Sequence, residues 1–298
     1  MPRRQEKRKR SSTAPDKKAA VIEDPREVLE VSRRWRREGL AIGLVPTMGA
    51  LHAGHLSLVE RACRENDRVV VSIFVNPIQF GPGEDFDHYP RDPQRDAELL
   101  AKAGVDGIYE PTVAAMYPPG SSTLIHVAGV SQPLEGQARP GHFDGVATVV
   151  AKLFTAVEPD RAYFGQKDAQ QVAVVKRMAR DLDFPVEIRV SPTVRELDGL
   201  ALSSRNAYLT PDERKAAASL SSALRLAAEA YAHGERKPDR LRQILRERLE
   251  AEPLAQVEYV ELVNPETFIA PGSLAVLAVR FGRTRLIDNH DLEIEFSG

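Results

Sequence analysis

Residues 68–75 read Arg-Val-Val-Val-Ser-Ile-Phe-Val. The run is so continuously apolar and β-branched that, as a strand, it must be buried on both faces. That is the situation of an inner strand in a parallel sheet with helices on either side. The neighbouring sequence keeps the same rhythm. A helix over 25–38, with Val28, Leu29, Val31, Ser32 and Trp35 on one stripe, precedes a strand at 42–45, and an amphipathic segment carrying Leu56, Leu58, Val59, Ala62 and Cys63 leads to the run at 68–75. Beyond it, a helix is expected over 92–103 and a strand near 107–110. A helix over 144–157 capped by Asp144, a strand at 161–164, a helix over 168–182 and a strand at 186–190 complete the pattern. Such alternation predicts a doubly wound, Rossmann-like parallel sheet of the α/β class.

After Pro192 the character changes. Two charged, alanine-rich helices over 212–232 and 238–251, then β-like runs at 257–263, 273–279 and 284–287, predict a smaller α+β unit. The expected division is a basic, disordered tail over 1–20, a Rossmann-like domain over 21–193, and a C-terminal α+β lid domain over 194–298. The tail sets eight Lys and Arg against Glu6 and Asp16 within residues 1–18, a net of +6. With −2 for the whole chain, −8 is left for the remainder. An acidic body argues against a dedicated nucleic-acid protein, so no nucleic-acid partner is expected. No apolar run approaches a membrane span or a signal-peptide core, and Cys63 is the single cysteine. A cytoplasmic, reducing location and no membrane partner are therefore expected.

Chemistry concentrates where strands are expected to end. Pro46-Thr47-Met48-Gly49-Ala50-Leu51-His52-Ala53-Gly54-His55 joins a strand to a helix. Helix-start N–H groups there favour an anion, and the two imidazoles add donors whose charge is expected to respond near neutral pH. Gly54 would let a base or phosphate approach the backbone. Zinc is not expected, because no third ligand accompanies His52 and His55. Asn76 and Gln79 follow the strand at 68–75 and offer amides suited to a small hydroxylated substrate. Gly165-Gln166-Lys167-Asp168, with Gln171 beyond, forms a second strand-to-helix junction with a phosphate-directed lysine. Leu202-Ser203-Ser204-Arg205 sets two hydroxyls and a guanidinium in series, an efficient phosphate clamp.

The segments PTMGALHAGH at 46–55, SIFVNPIQFGPGEDFDHYPRD at 72–92, YFGQKDAQQ at 163–171 and VRELDGLALSSRNAYL at 194–209 together resemble the pantothenate synthetase (pantoate–β-alanine ligase) family. That family belongs to the nucleotidyltransferase superfamily, and the resemblance runs from about Val21 to the C-terminus. It implies an AMP-forming ligase that condenses (R)-pantoate with β-alanine through a pantoyl adenylate. ATP would be the co-substrate, with Mg2+ carried on its phosphates. By the same resemblance, His55 is the proton donor; His52 and Lys167, able to neutralise the charge of a phosphate transition state, join it as catalytic residues. Met48, Gly49, Ala50, Leu51, His52, Ala53, Gly54 and His55 bind ATP, as do Gly165, Gln166, Lys167, Asp168, Val194, Leu202, Ser203, Ser204 and Arg205. Gln79 and Gln171 bind pantoate, and Gln79 also β-alanine; Asn76 joins them as a substrate-binding residue. A homodimer is implied too. Leu202 stands where methionine is common in the family, and Asp96 is an outside candidate for a magnesium ligand. Lids are expected around 139–143 and 203–205. The competing readings are a nucleotidyltransferase acting on a phosphorylated substrate, and a nucleic-acid binder working through the tail.

Overall fold

The structure is a computed structural model and describes residues 19–296; of the tail expected to be disordered over 1–20, residues 1–18 lie outside these, while Ala20 already opens a strand. The chain runs β1 (Ala20–Ile22), α1 (Pro25–Arg37), β2 (Ile42–Thr47), α2 (Ala53–Glu65), β3 (Arg68–Ile73), α3 (Pro93–Ala103), β4 (Gly107–Tyr109), α4 (Val113–Met116), α5 (Glu135–Ala138), α6 (His142–Val157), β5 (Arg161–Gly165), α7 (Ala169–Asp181) and β6 (Glu187–Ser191). It continues through α8 (Pro211–Ala217), α9 (Ser219–Ala232), α10 (Pro238–Glu250), β7 (Ala255–Val263), β8 (Leu274–Phe281) and β9 (Thr284–Asp291).

All pairings in the first sheet are parallel, and its strand order is β1-β4-β3-β2-β5-β6. From β2 the chain winds one way through β3 to β4 and the other way through β5 to β6. The winding therefore reverses between β2 and β5. Ligands of open α/β sheets bind beyond the strand ends at such a switch point. Val69, Val70 and Val71 are fully buried, as the run at 68–75 requires. One face of the sheet packs on α6 and α7 and the other on α2 and α3.

The smaller part is an antiparallel β7-β8-β9 sheet carrying α9 and α10 over its own core. Val263, Phe268, Leu274 and Val276 from this part join the core of the parallel-sheet part, so the two share an apolar interface. A buried ion pair reinforces it: Arg285 meets Glu135 through Nη2 and Nη1 at 2.6 and 2.7 Å, and the Tyr259 hydroxyl donates to the same carboxylate at 2.8 Å.

Several local expectations need correction. β1 is a short edge strand too brief to show in the sequence pattern. Helix α6 begins at His142, not Asp144. Gly141 precedes it at φ 81°, and Asp144 turns to His126 at 2.9 Å instead of capping. The single helix expected over 212–232 is two, α8 and α9, separated at Ala218. Helix α7 starts one residue after Asp168, which makes no side-chain cap.

Candidate active site

Strand β2 ends at Thr47, and the chain must turn sharply to enter α2. Gly49 at φ 82° and Ala50 at φ 50° make that bend. It is pinned from α3, where the buried Asp96 carboxylate accepts the Ala50 and Leu51 amides, each at 2.8 Å. His52 then caps α2: its Nδ1 accepts the Gly54 amide at 3.1 Å, while His55 Nδ1 accepts the His52 amide at 3.4 Å. Both Nδ1 atoms are thereby acceptors, which leaves the proton of each neutral ring on Nε2. The ring centroids lie 4.1 Å apart. Burial lowers His52, with help from the Lys167 charge; burial and the neighbouring His52 push His55 down to about 3. His55 is therefore neutral at pH 7, contrary to the expectation of a charge that responds there, and His52 is shifted in the same direction. Gly54 also serves a purpose beyond the one expected. A Cβ there would lie 2.9 Å from His52 Cε1, so the residue makes room for the imidazole itself.

At the end of β5, a 3-10 turn over Gln166–Asp168 sets Lys167 Nζ 3.3 Å from Asp168 Oδ1. Burial would raise the Asp168 carboxyl, but Lys167 and the more distant Arg205 hold it below the usual range. The turn is gripped from β9. Asn289 Nδ2 donates to the Gln166 and Lys167 carbonyls at 3.0 and 2.8 Å, and Gln166 Nε2 returns a bond to Asn289 Oδ1 at 3.2 Å. Over the opposite rim, Ser203 caps a 3-10 turn whose Arg205 forks onto Asp85 at 2.8 and 3.1 Å. Arg139 forks onto Glu84 in the same loop at 2.6 and 2.8 Å, and His142 Nδ1 donates to the Gln79 carbonyl at 2.8 Å. Both segments expected to act as lids are thus tied to the loop that follows β3.

Met48, His52, Gly54 and His55 line one cavity of about 230 Å³ together with Gln79, Gly165, Lys167, Asp168, Gln171, Val194, Leu202, Ser203, Ser204 and Arg205. The remaining predicted residues do not line it. Gly49, Ala50, Leu51 and Ala53 form its supporting bend, with Leu51 buried. Gln166 faces Asn289. Asn76, 1 % exposed, has both ends of its amide bonded to protein and stands behind Gln79. Its expected direct contact with substrate is not what the geometry offers. Tyr89 was not expected at the cavity wall, where Arg139 and His142 also stand, from the segment expected to act as a lid. Nothing local in the sequence links Arg139 to Glu84, although Glu84, Asp85 and Tyr89 all lie inside the 72–92 motif.

A match to the family model of pantoate-beta-alanine ligase spans residues 20–291. The chain belongs to the pantoate–β-alanine ligase family. Among relatives of this ligase, the pantothenate synthetase of Rubrobacter xylanophilus is 54 % identical over 284 residues, 91 % of this chain and 98 % of that one. The Chloroflexus aggregans enzyme of the same name is 58 % identical over 264 residues, 87 % and 95 % of the two chains. The crystal structure of pantothenate synthetase from Thermus thermophilus superposes with a TM-score of 0.85 at 49 % identity, covering 92 % of this chain and 99 % of that one. The Francisella tularensis pantoate-beta-alanine ligase, complexed with beta-gamma ATP and β-alanine, gives 0.78 at 34 % identity, covering 93 % and 99 %. The ligase therefore joins pantoate to β-alanine to form pantothenate, with ATP as co-substrate.

Proposed function

We propose that the ligase works in two steps within the cavity between β2 and β5. The pantoate carboxylate first attacks the α-phosphate of ATP, giving pantoyl adenylate and pyrophosphate. The β-alanine amine then attacks the activated carbonyl and releases AMP. What carries this reading is one convergence: the His52 and His55 rings and the Lys167 ammonium line the same cavity as the amides of Gln79 and Gln171. Negative charge gathers on phosphate oxygens in the first transition state. Neutral Nε2–H donors, the ammonium and the Ser203, Ser204 and Arg205 segment are preorganised to meet it. We assign His55, His52 and Lys167 the catalytic roles, Gln79 and Gln171 the binding of pantoate, and the Met48–His55 and Gly165–Asp168 stretches with Val194 and 202–205 the binding of ATP. For the second step, holding amine and adenylate together supplies on the order of 7 kcal/mol or more.

The domain assignment rests on the same geometry: residues 21–193 hold the nucleotide and pantoate, and 194–298 supply the rim through Leu202 and Arg205. A reaction on ATP calls for magnesium. Among the described residues no group of three His, Cys, Asp or Glu converges to hold a metal, and both Asp96 oxygens are taken by backbone amides. The residues present do not build a protein cage for Mg2+, so the ion is assigned to the ATP phosphates and no step is routed through it. Resemblance to the family supports a homodimer, and a single cysteine in the whole sequence fits a cytoplasmic setting. No helix among the described residues is long and apolar enough to cross a membrane.

Isotope exchange between pyrophosphate and ATP tests the proposal. Exchange should require pantoate and proceed without β-alanine. Exchange driven instead by a phosphorylated sugar or an amino acid would overturn it.

A further inference from the structure

The bonds behind Gln79 have only one consistent direction. Asn76 Nδ2 lies 3.0 Å from the Gly145 carbonyl, which can only accept. The amide nitrogen of Asn76 is thereby fixed, and its Oδ1 must be the atom that faces the Tyr117 hydroxyl at 2.8 Å. Burial pushes the Tyr117 phenol well above its ordinary value, so the hydroxyl keeps its proton and donates. The second hydrogen of Asn76 Nδ2 then goes to Gln79 Oε1 at 3.0 Å. With its oxygen held from behind, Gln79 can turn only its NH2 group forward, where Nε2 sits 3.0 Å from Met48 Sδ at the cavity wall. Each amide has two nearly isosteric orientations, and this chain of bonds selects one at every link.

The backbone around the chain is as closely set. A Cβ on Gly145 would lie 2.6 Å from both Gln79 Cα and the Ile78 carbonyl, so α6 rests directly on the 3-10 turn carrying Gln79. His142 on the same helix donates to the Gln79 carbonyl. Turn and amide are thus both fixed from α6 and from the residue that follows α4.

We propose that Tyr117 is a positioning residue for substrate selection: acting through Asn76, it fixes the polarity of the Gln79 amide so that the cavity meets a pure donor there. A donor reads oxygen atoms with free lone pairs, the carboxylate and hydroxyl oxygens of a hydroxy acid, and offers nothing to an ammonium group. Tyr117 does not line the cavity. The inference rests on the reading of Gln79 as a pantoate-binding residue, and the test separates the two.

Steady-state kinetics of Tyr117→Phe should show KM for pantoate raised about tenfold, with KM for ATP within twofold of wild type. The phenyl ring keeps the packing against Phe74 and loses only the donor. In a Gln79→Ala background the Tyr117→Phe change should have no further effect. Asn76→Asp supplies a second route, independent of the fate of the tyrosine variant. An aspartate here accepts from Tyr117, and when protonated it gives its one hydroxyl hydrogen to the Gly145 carbonyl; in neither form is a hydrogen left for Gln79, which must donate backward and present its oxygen to the cavity. Pantoate KM should then rise more than in Tyr117→Phe, again with ATP spared. If Gln79→Ala raises pantoate KM while Tyr117→Phe and Asn76→Asp leave it within twofold of wild type, the positioning role is overturned and the binding role of Gln79 stands. Equal damage to ATP and pantoate parameters in both variants refutes it as well, by showing a general structural effect. If Gln79→Ala leaves pantoate KM unchanged, the binding role falls and the positioning role with it.

Discussion

Replacing Asp96 by asparagine should damage the enzyme through the backbone and not through a metal. The carboxylate is 1 % exposed and its two oxygens accept the Ala50 and Leu51 amides. Asparagine has nearly the same shape but only one acceptor, so its NH2 must face one of these N–H groups. One buried amide loses its partner, at about 1–3 kcal/mol, and the surviving bond loses its charge assistance, at about 1 kcal/mol. The expected loss is roughly 2–4 kcal/mol. In urea unfolding followed by circular dichroism this corresponds to a midpoint lowered by about 1 M with the slope unchanged. The same change releases the bend at Gly49 and Ala50 that leads into His52, so pantoate-dependent exchange should fall at least tenfold and excess magnesium should not restore it. An unchanged midpoint with full exchange would refute the argument. Rescue by magnesium would restore Asp96 as a metal ligand.

His55→Ala and Lys167→Ala should each lower pantoate-dependent exchange by roughly a hundredfold or more, since each removes a preorganised donor from the developing phosphate charge; wild-type rates in either would remove the role assigned. Stability should also depend on pH in a defined window. Burial and neighbouring charge put His55 at about 3 and His142 at about 4, against an ordinary value of 6.5. Between these values the unfolded chain binds more protons than the folded one. The stability is therefore complete above about pH 6.5 and is lost as pH falls toward 4, at up to ~1.4 kcal/mol per pH unit for each ring. Urea midpoints measured from pH 7 to pH 4 should fall accordingly, and less steeply in His142→Asn; a flat profile would contradict the burial argument.

What the sequence revealed and what it hid divide along the range of the interactions. The β-branched run at 68–75 declared a two-sided strand because burial on both faces leaves a local mark, and the histidine pair declared a strand-to-helix turn because its spacing is local too. The start of α6 was misplaced since Asp144 looks like a cap in one dimension, whereas in three His126 claims its carboxylate. Asn76 was legible as an amide in the right segment, but its backward-facing role depends on Gly145 and Tyr117, 69 and 41 residues away. The downward shift of His52 and His55 is likewise a product of burial, which no spacing reports. Ion pairs such as Arg205 with Asp85, 120 residues apart, exist only once the folded chain brings their segments together.

Asn289 closes the molecule in a further sense. It lies in the last strand, yet its side chain holds the carbonyls of Gln166 and Lys167, and the adjoining Asp288 grips Arg195 at 2.6 and 3.0 Å, just where the chain leaves the parallel sheet. Domains fold largely as units and in order during synthesis. In a chain still emerging, the lysine turn lacks its clamp until β9 is made. The cavity wall that carries Lys167 is therefore completed by a strand of the antiparallel sheet, and not by the parallel sheet alone.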